Sequence, residues 1–157
     1  MISMLTIPPK RTPRVMGVVV TRTRLALAVI DPWEVRVIRY ARTGPNVSSK
    51  LALLRRVLLQ ERPVLIATEA KSQKQLGTLL GRDAPAVVTP ARSAVIRLLR
   101  GDEGNGPLAD AYPEIRALPR TLSKKTILRA VAVATLALIN INPKLPLYAR
   151  KWRQPTK

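Results

Sequence analysis

Three apolar stretches follow one another near the start of the chain, and short polar breaks separate them. In "RVMGVVVTRTRLALAVID" an apolar run from Val15 is followed by a polar break at residues 21–24 and by a second apolar run that ends at Asp31, a pattern typical of a two-stranded hairpin. In "EVRVIRYAR" apolar and charged residues alternate, which indicates a third strand. The alternation assigns Val35 and Val37 to one face and Ile38 and Tyr40 to the other. The three stretches together predict an antiparallel meander.

After "TGPN" the apolar positions take on the spacing of a helix, which we expect to be capped by Ser48 or Ser49 and to end near Glu61. The residues of its apolar stripe are Leu51, Leu54 and Leu58. The cations assigned to its solvent-facing side are Lys50, Arg55 and Arg56.

The remainder of the chain alternates strands with helices. "VLIATEA" and "PAVVTP" are apolar runs that predict two further strands, the first of the kind found inside a sheet. "KSQKQLGTLLGRD" and "ARSAVIRLLRG" predict short helices, and "SKKTILRAVAVATLALIN" predicts a long buried helix capped by Ser123. Between the last two lies a loop rich in glycine and acid, residues 101–119, which we expect to be mobile. This order predicts an α/β fold: a mixed five-stranded sheet, made of the meander plus two parallel strands, with helices on both faces.

A chain of 157 residues is long enough for one domain with a proper core. We assign that domain to residues 15–147, a basic N-terminal arm to residues 1–14 and a basic C-terminal tail to residues 148–157. No apolar run reaches the roughly 18 residues of a membrane span, and the opening residues lack the pattern of a signal peptide. We therefore expect a protein of the cytoplasm, the nucleoid or an organelle matrix, neither secreted nor bound to a membrane.

The charge balance points to a polyanionic partner. Lys and Arg number 28 against 9 Asp and Glu, a formal net charge of +19, and a field of that sign attracts nucleic-acid phosphates. The chain has neither cysteine nor histidine, so the usual general base and the soft metal ligands are missing. Any bound metal would have to be a hard cation held by carboxylates.

Glu69 stands where an apolar strand ends, in a chain that has few acids. With Glu69 at this position and with this order of elements, the chain resembles the ribonuclease H-like superfamily, and in particular its RuvC/YqgF-like Holliday-junction resolvases. The resemblance covers roughly residues 15–140. In that family the strand after the first helix ends in a metal-binding Glu, which "IATEA" supplies as Glu69. The first strand and the closing helix each carry a metal-binding Asp in the family; the matching stretches here are "GVVVTRTR" and "RAVAVA".

Most of the metal-binding carboxylates that this resemblance implies are missing. Val19 stands at the Asp position of the first strand, and Arg129 stands at that of the closing helix. Two-metal phosphodiester cleavage needs several converging carboxylates, which Glu69 alone does not provide. Among the other acids, Asp110 of the 101–119 loop is the best candidate to join it, whereas Asp31 is expected at the far end of the first hairpin. Glu69 is then a remnant of a catalytic site, no cofactor is expected, and Mg²⁺ would be held by Glu69 only in an active nuclease.

The resemblance also implies a binding surface, because nucleic acid lies across the carboxylate-bearing face in this family. The cations that we expect at or near that face are Arg22, Arg24, Lys71, Lys74, Lys124, Lys125 and Arg129. Lys124 and Lys125 are expected to be exposed at the start of the final helix. Cations there oppose the helix dipole, and a docked anion would compensate for that cost.

Three functions remain open at this point. The first is a catalytically degenerate RuvC-like module that binds structured or branched DNA, or RNA, through backbone contacts within a larger nucleoprotein assembly. The second is an active Mg²⁺-dependent endonuclease, a junction resolvase that uses Glu69 and loop acids. The third is a structural basic protein of a ribosome or a phage particle. A homodimer through the final helix or the first helix would suit a two-fold junction.

Overall fold

A computed structural model of the chain describes residues 13–44, 46–80, 85–100, 107–118 and 123–141. Its strands are β1 (Val15–Val20), β2 (Arg24–Ile30), β3 (Val35–Arg42), β4 (Leu65–Thr68) and β5 (Val87–Val88). Its α-helices are α1 (Val47–Glu61), α2 (Ala70–Leu79), α3 (Arg92–Leu98), α4 (Pro107–Ala111) and α5 (Ser123–Ile141), and a 3₁₀ helix covers Pro113–Ala117.

The five strands form one mixed sheet in the order β3-β2-β1-β4-β5. β1 pairs with β2 and β2 with β3 in antiparallel fashion, whereas β1, β4 and β5 are parallel. The predicted meander, the two parallel strands and the α/β fold class are confirmed. We call the end of the sheet where β1, β4 and β5 finish the carboxyl end, and the end where they begin the amino end.

β1 lies inside the sheet and is covered on both faces, so all six of its residues are buried. α5, α3 and the short helices cover one face, while α1 and α2 cover the other. This explains why β1 and β2 read as continuous apolar runs instead of alternating ones.

α5 packs unusually close to β1 because the strands beneath it carry small residues. Gly17 of β1 lies opposite Ala28 of β2 and Ala67 of β4, so three small residues stand side by side across the sheet. A methyl group added to Gly17 would lie 1.9 Å from the carbonyl oxygen of Ala130 and 3.1 Å from Cβ of Ala134. The helix therefore rests on the sheet backbone itself, with almost no freedom to slide.

The start of α1 differs from the prediction in two ways. The helix begins earlier, because Asn46 is its N-cap and accepts a hydrogen bond from the backbone N–H of Ser49 at 3.1 Å. Lys50, assigned above to the solvent-facing side, is buried with Leu54 and Val57. Its ammonium group donates to a loop carbonyl, which offsets part of the cost of burying the charge.

The ladder between β2 and β3 is irregular. Ile30 lies opposite Val35 and Val29 lies opposite Val37, so Arg36 is an additional residue in β3. The side chains of β3 that pack on the layer of α5 are Val35, Ile38 and Tyr40. The expectation that Val35 and Val37 share a face is therefore wrong, because the additional residue reverses the alternation.

The segment 101–119 is partly ordered in helices, which corrects the expectation of a mobile loop for its second half. Leu108 and Ala109 of α4 and the following Tyr112 and Ile115 are buried. These apolar side chains join the core beneath α5, and that burial compensates for the entropy of ordering the chain. Residues 101–106 and 119 lie outside the described residues.

Most of the basic N-terminal arm assigned to residues 1–14, namely residues 1–12, and the tail at 148–157 lie outside the described residues, so the assignments of arm and tail stay predictions. Within the described ranges, no helix is both long and apolar enough to span a membrane.

Replacing Gly17 with Ala should destabilise the fold, because the new methyl group would collide with the backbone of α5. We expect the free energy of unfolding, measured by urea denaturation, to fall by at least about 2 kcal/mol. Gly77 is the matched control: it lies in α2 with no atom within 4 Å of an added methyl group. Gly77→Ala should raise the stability by about 0.5–1 kcal/mol. Equal effects at the two glycines would contradict the close contact.

Tyr112 should make the stability fall at high pH. Its side chain is fully buried and its hydroxyl donates to the carbonyl of Asp31 at 2.8 Å; burial, with smaller contributions from the charges of Asp31 and Glu114, raises its pKa well above the ordinary value. The stabilisation is complete below the unfolded pKa near 10 and is lost as the pH rises further, since only the unfolded chain ionises there. The stability difference between wild type and Tyr112→Phe should shrink by about 1.4 kcal/mol per pH unit above pH 10. A difference that stays constant from pH 8 to 11 would show that the phenol is accessible.

Candidate nucleic-acid interface

Carboxylates gather at the amino end of the sheet. Glu61 accepts from Arg14 and from Arg36, both at 3.1 Å, beside the entry into β1. Asp31, just after β2, caps its own turn by accepting from the N–H of Trp33 and Glu34. Other acids belong to the same end: Glu34 pairs with Arg36, and Glu114 accepts from the N–H of Val35 at 2.7 Å. The prediction that Asp31 lies away from the end of β1 is confirmed.

Glu69 is the exception among the carboxylates that the structure describes, because it lies at the carboxyl end, directly after β4. It forms a two-pronged ion pair with Arg129 of α5. Nε of Arg129 donates to Oε2 at 2.6 Å, and Nη2 donates to Oε1 at 2.5 Å. The side chain of Glu69 is 12% exposed and that of Arg129 is 27% exposed. Both carboxylate oxygens of Glu69 are thus occupied by one guanidinium.

The surrounding structure favours this geometry. Glu69 occupies the N-cap position of α2, but its side chain makes no capping hydrogen bond because it is turned toward Arg129. When a guanidinium and a carboxylate share two parallel N–H···O bonds, the ion pair is stronger and more closely fixed in geometry than with a single bond. The hydrogen bond to Glu69 raises the pKa of Arg129, against the opposing effect of partial burial. Arg129 is therefore a permanent cation held in one orientation.

A divalent metal does not fit the residues described around Glu69. No group of three or more Asp, Glu, His or Cys side chains within the described ranges comes close enough to hold one. Val19, which the resemblance noted in the sequence aligns with a metal-binding Asp, is fully buried in the apolar layer beneath α5. The carboxylate of Glu69 already has a cationic partner in Arg129. Glu69 and Arg129 thus form an ion pair, and the described residues around them do not form a metal site.

Asp110, the acid expected to join Glu69, lies in α4, and its side chain is outside the described residues. Two residues further on, Tyr112 donates to the carbonyl of Asp31 at the amino end. The sheet separates the two ends by roughly 17 Å, the length of the six-residue β1. Asp110 as a partner of Glu69 remains a prediction, and the position of its neighbour Tyr112 does not favour it.

The predicted binding cations lie at the carboxyl end. Arg22 is exposed in the turn between β1 and β2, and Lys71 and Lys74 are exposed on the first turns of α2. The hydroxyl of Ser72 in that helix exchanges hydrogen bonds with the backbone of Val20, which ties α2 to the end of β1. Lys125 is exposed one turn before Arg129.

Lys124 corrects the expectation that both lysines of α5 are exposed. It is only 5% exposed, and its ammonium lies 3.5 Å from the carbonyl of Leu118. The residues around it on α5, Ile127 and Leu128, are buried as well. Lys124 is buried because α5 is covered by other segments as well as by the sheet, so more of its circumference is shielded from solvent.

Three cations at this end were not predicted as site residues. Arg92 begins α3 just after β5 and, with Glu69 and Lys71, lines a cleft of about 180 Å³. Arg42 closes β3 directly opposite Arg24 of β2, although like charges in that position repel each other. The third is Lys50. The sequence analysis assigned Lys50 to the solvent-facing side of its helix and gave no role to Arg42 or Arg92, and only the sheet order brings the three to one end.

Solved structures were compared with this fold. RuvC from Thermus thermophilus, bound to a Holliday junction substrate, superposes with a TM-score of 0.58 over 82% of this chain and 95% of that chain, at 19% identity. A second structure of Thermus thermophilus RuvC gives 0.58 over 85% and 99%, at 17% identity. The chain has a RuvC-like fold.

At this level of identity the likeness establishes the fold, and the resemblance noted in the sequence is confirmed to that extent. No protein-family model matches the sequence, and no curated protein matches it significantly. What this RuvC-like chain does with its carboxyl end must therefore be argued from its own residues.

The ion pair predicts a specific pattern of stability. Arg129→Met should lower the free energy of unfolding by about 2 kcal/mol, because it leaves the largely buried carboxylate of Glu69 without its partner. The double variant Glu69→Gln with Arg129→Met should recover part of that loss, giving a coupling energy of about 1 kcal/mol or more in urea denaturation. Lys125→Met, an exposed cation on the same helix, is the control and should change stability by less than about 0.5 kcal/mol. Strict additivity of the two single changes would mean that the pair does not form.

Proposed function

We propose that this chain is a nucleic-acid-binding module that recognises structured or branched DNA or RNA through its phosphate backbone and does not cleave it. The module uses the carboxyl end of its RuvC-like sheet as the contact surface and acts within a larger nucleoprotein assembly. The observation that carries the proposal is the Glu69–Arg129 ion pair at the position where a metal-dependent nuclease needs free carboxylates.

The ion pair changes the electrostatics of this surface. A free carboxylate repels phosphate unless a metal ion bridges the two. Here Arg129 neutralises Glu69, and the exposed cations around the pair are left in excess. We call these the carboxyl-end cations: Arg22, Lys71, Lys74, Arg92 and Lys125. A phosphate can approach this end without a metal.

The separation of charges supports the same surface. Apart from Glu69, the carboxylates whose side chains are described lie at the amino end, where they are engaged with arginines or backbone N–H groups. With a net charge of +19, the whole molecule attracts polyanions. The separation of acids at the amino end from exposed cations at the carboxyl end orients the bound polyanion. The like-charge neighbours Arg24 and Arg42 add to the carboxyl end, where a bound phosphate would relieve their repulsion.

Recognition by shape follows from the nature of these groups. Lysine and arginine side chains spread over the ends of three strands and the starts of three helices contact phosphates, which carry no sequence information directly. A branched or folded nucleic acid presents several backbones at once to such a surface. Affinity should then depend on structure and on salt more than on base sequence.

The binding surface can be tested by removing two of its charges. Lys71→Gln with Lys74→Gln should reduce the negative slope of log Kobs against log salt by about 1.8, since each lost phosphate contact contributes about 0.9. The control is Arg55→Gln with Arg56→Gln, which removes the same charge from exposed positions in the middle of α1. Fluorescence anisotropy with a four-way DNA junction, a linear duplex and a structured RNA measures both variants. Equal slopes for the two variants would place binding elsewhere.

The absence of cleavage needs its own measurement on the same samples. We expect tight binding that does not require Mg²⁺ and persists in EDTA, and intact strands on a denaturing gel with or without Mg²⁺. Mg²⁺-dependent nicking that disappears in Glu69→Gln would establish the nuclease alternative instead. If deletion of residues 1–12 and 148–157 abolishes binding, the basic termini carry the affinity, as expected for a structural basic protein.

A further inference from the structure

Lys50 is a buried cation that the ion pair and the carboxyl-end cations do not account for. It lies in the first turn of α1 and is 5% exposed. Its ammonium donates to the backbone carbonyl of Arg22, in the turn between β1 and β2, at 2.6 Å. Burying an ammonium is costly unless its charge is compensated, and a neutral carbonyl supplies only part of that compensation.

The ammonium has donors to spare. A lysine ammonium carries three N–H groups, and the bond to Arg22 uses one of them. No carboxylate is paired with Lys50 among the ion pairs of the described residues. Two N–H groups of a full positive charge are thus available at this place.

A hollow lies beside Lys50 on the side of the sheet covered by α1 and α2. It measures about 220 Å³ and is open to solvent. Its walls are Val20, Arg22, Val47, Lys50, Gln75, Thr78 and Leu79. By the same kind of measure a single water needs only about 10–15 Å³, so the hollow has room for a hydrated phosphate group.

The lining suits an oxyanion. Lys50 and Arg22 bring positive charge, and Gln75 brings an amide that donates hydrogen bonds. No acid is among the lining residues that the structure describes. The hydroxyl of Thr78 already donates to the carbonyl of Gln75.

We propose that this hollow, with Lys50 in its wall, is a phosphate-binding subsite that receives one phosphodiester of the bound nucleic acid. The inference rests on the proposed function and deepens it. Arg22 belongs both to the hollow and to the carboxyl-end cations, and α2 lies between the hollow and the cleft lined by Lys71 and Arg92. A nucleic-acid backbone that follows the carboxyl end of the sheet would pass from the Glu69–Arg129 pair across α2 to Lys50.

Two substitutions of Lys50 distinguish an effect of its charge on binding from an effect of its hydrogen bond on the structure. Lys50→Gln keeps an N–H donor for the carbonyl of Arg22 but removes the charge, whereas Lys50→Arg keeps the charge. With the four-way DNA junction, Lys50→Gln should reduce the salt slope by about 0.9 and weaken binding severalfold, and Lys50→Arg should retain the wild-type slope. Arg56→Gln, an exposed position on the same helix, is the matched control and should leave the slope unchanged.

A second measurement adds a readout on the wild-type protein, the ¹⁵N resonance of the Lys50 ammonium, which does not depend on a variant that folds. Single phosphates of the junction are replaced in turn by neutral methylphosphonates. At one position, the methylphosphonate should weaken binding of the junction by the wild-type protein but should not further weaken binding by Lys50→Gln. In the wild-type complex, the ¹⁵N resonance of the Lys50 ammonium should shift when that same position is modified and at no other.

The outcomes keep the two proposals apart. If the wild-type protein binds none of the nucleic acids with a salt-dependent affinity, the proposed function itself fails. If it binds, and Lys71→Gln with Lys74→Gln lowers the slope while Lys50→Gln does not, only the subsite is overturned and Lys50 merely anchors the turn after β1. Saturation of the Lys50 resonance by inorganic phosphate without any effect on junction binding would also overturn it, since the hollow would then serve a free anion.

Discussion

The packing of α5 directly on the backbone of β1 is the contact on which the other features depend. Gly17, flanked by Ala28 and Ala67, leaves a shallow trough across three strands, and Ala130 fits into it. A helix seated on backbone atoms cannot rotate or slide without collision, because protein interiors are close-packed. Its register is therefore fixed relative to the ends of the strands.

That register decides what Arg129 does. Arg129 is the residue before Ala130, and Glu69 follows β4 two residues beyond Ala67, the residue paired with Gly17. Once Ala130 sits over Gly17, the guanidinium reaches the carboxylate and forms two hydrogen bonds with it. The register of α5 thus brings a cation to the carboxyl end of β4, where it neutralises Glu69.

The same sheet also sorts charge in space. Its amino end gathers acids in short networks with Arg14 and Arg36, and its carboxyl end exposes cations around a neutralised pair. Lys50 extends this pattern into the molecule, since it is a buried cation held by a single carbonyl at the carboxyl end of β1. Both Arg129 and Lys50 are fixed in place by the fold, which costs less entropy on binding than ordering a free side chain.

The hydrophobic pattern alone determined the order of elements, the meander and the α/β class, because periods of two and of three to four residues report directly on strands and helices. It also placed Glu69 at a strand end, and the resemblance to RuvC-like resolvases implied that Val19 and Arg129 stand where family members carry an Asp. It did not determine which cations are buried: Lys50 and Lys124 had the spacing of exposed residues, and only contacts with distant segments cover them. The tertiary structure alone decided the pairing of Glu69 with Arg129, 60 residues apart, the bulge at Arg36, and the union of Arg22, Lys50 and Gln75 around one hollow. Such features depend on strand order and helix register, which no local pattern encodes.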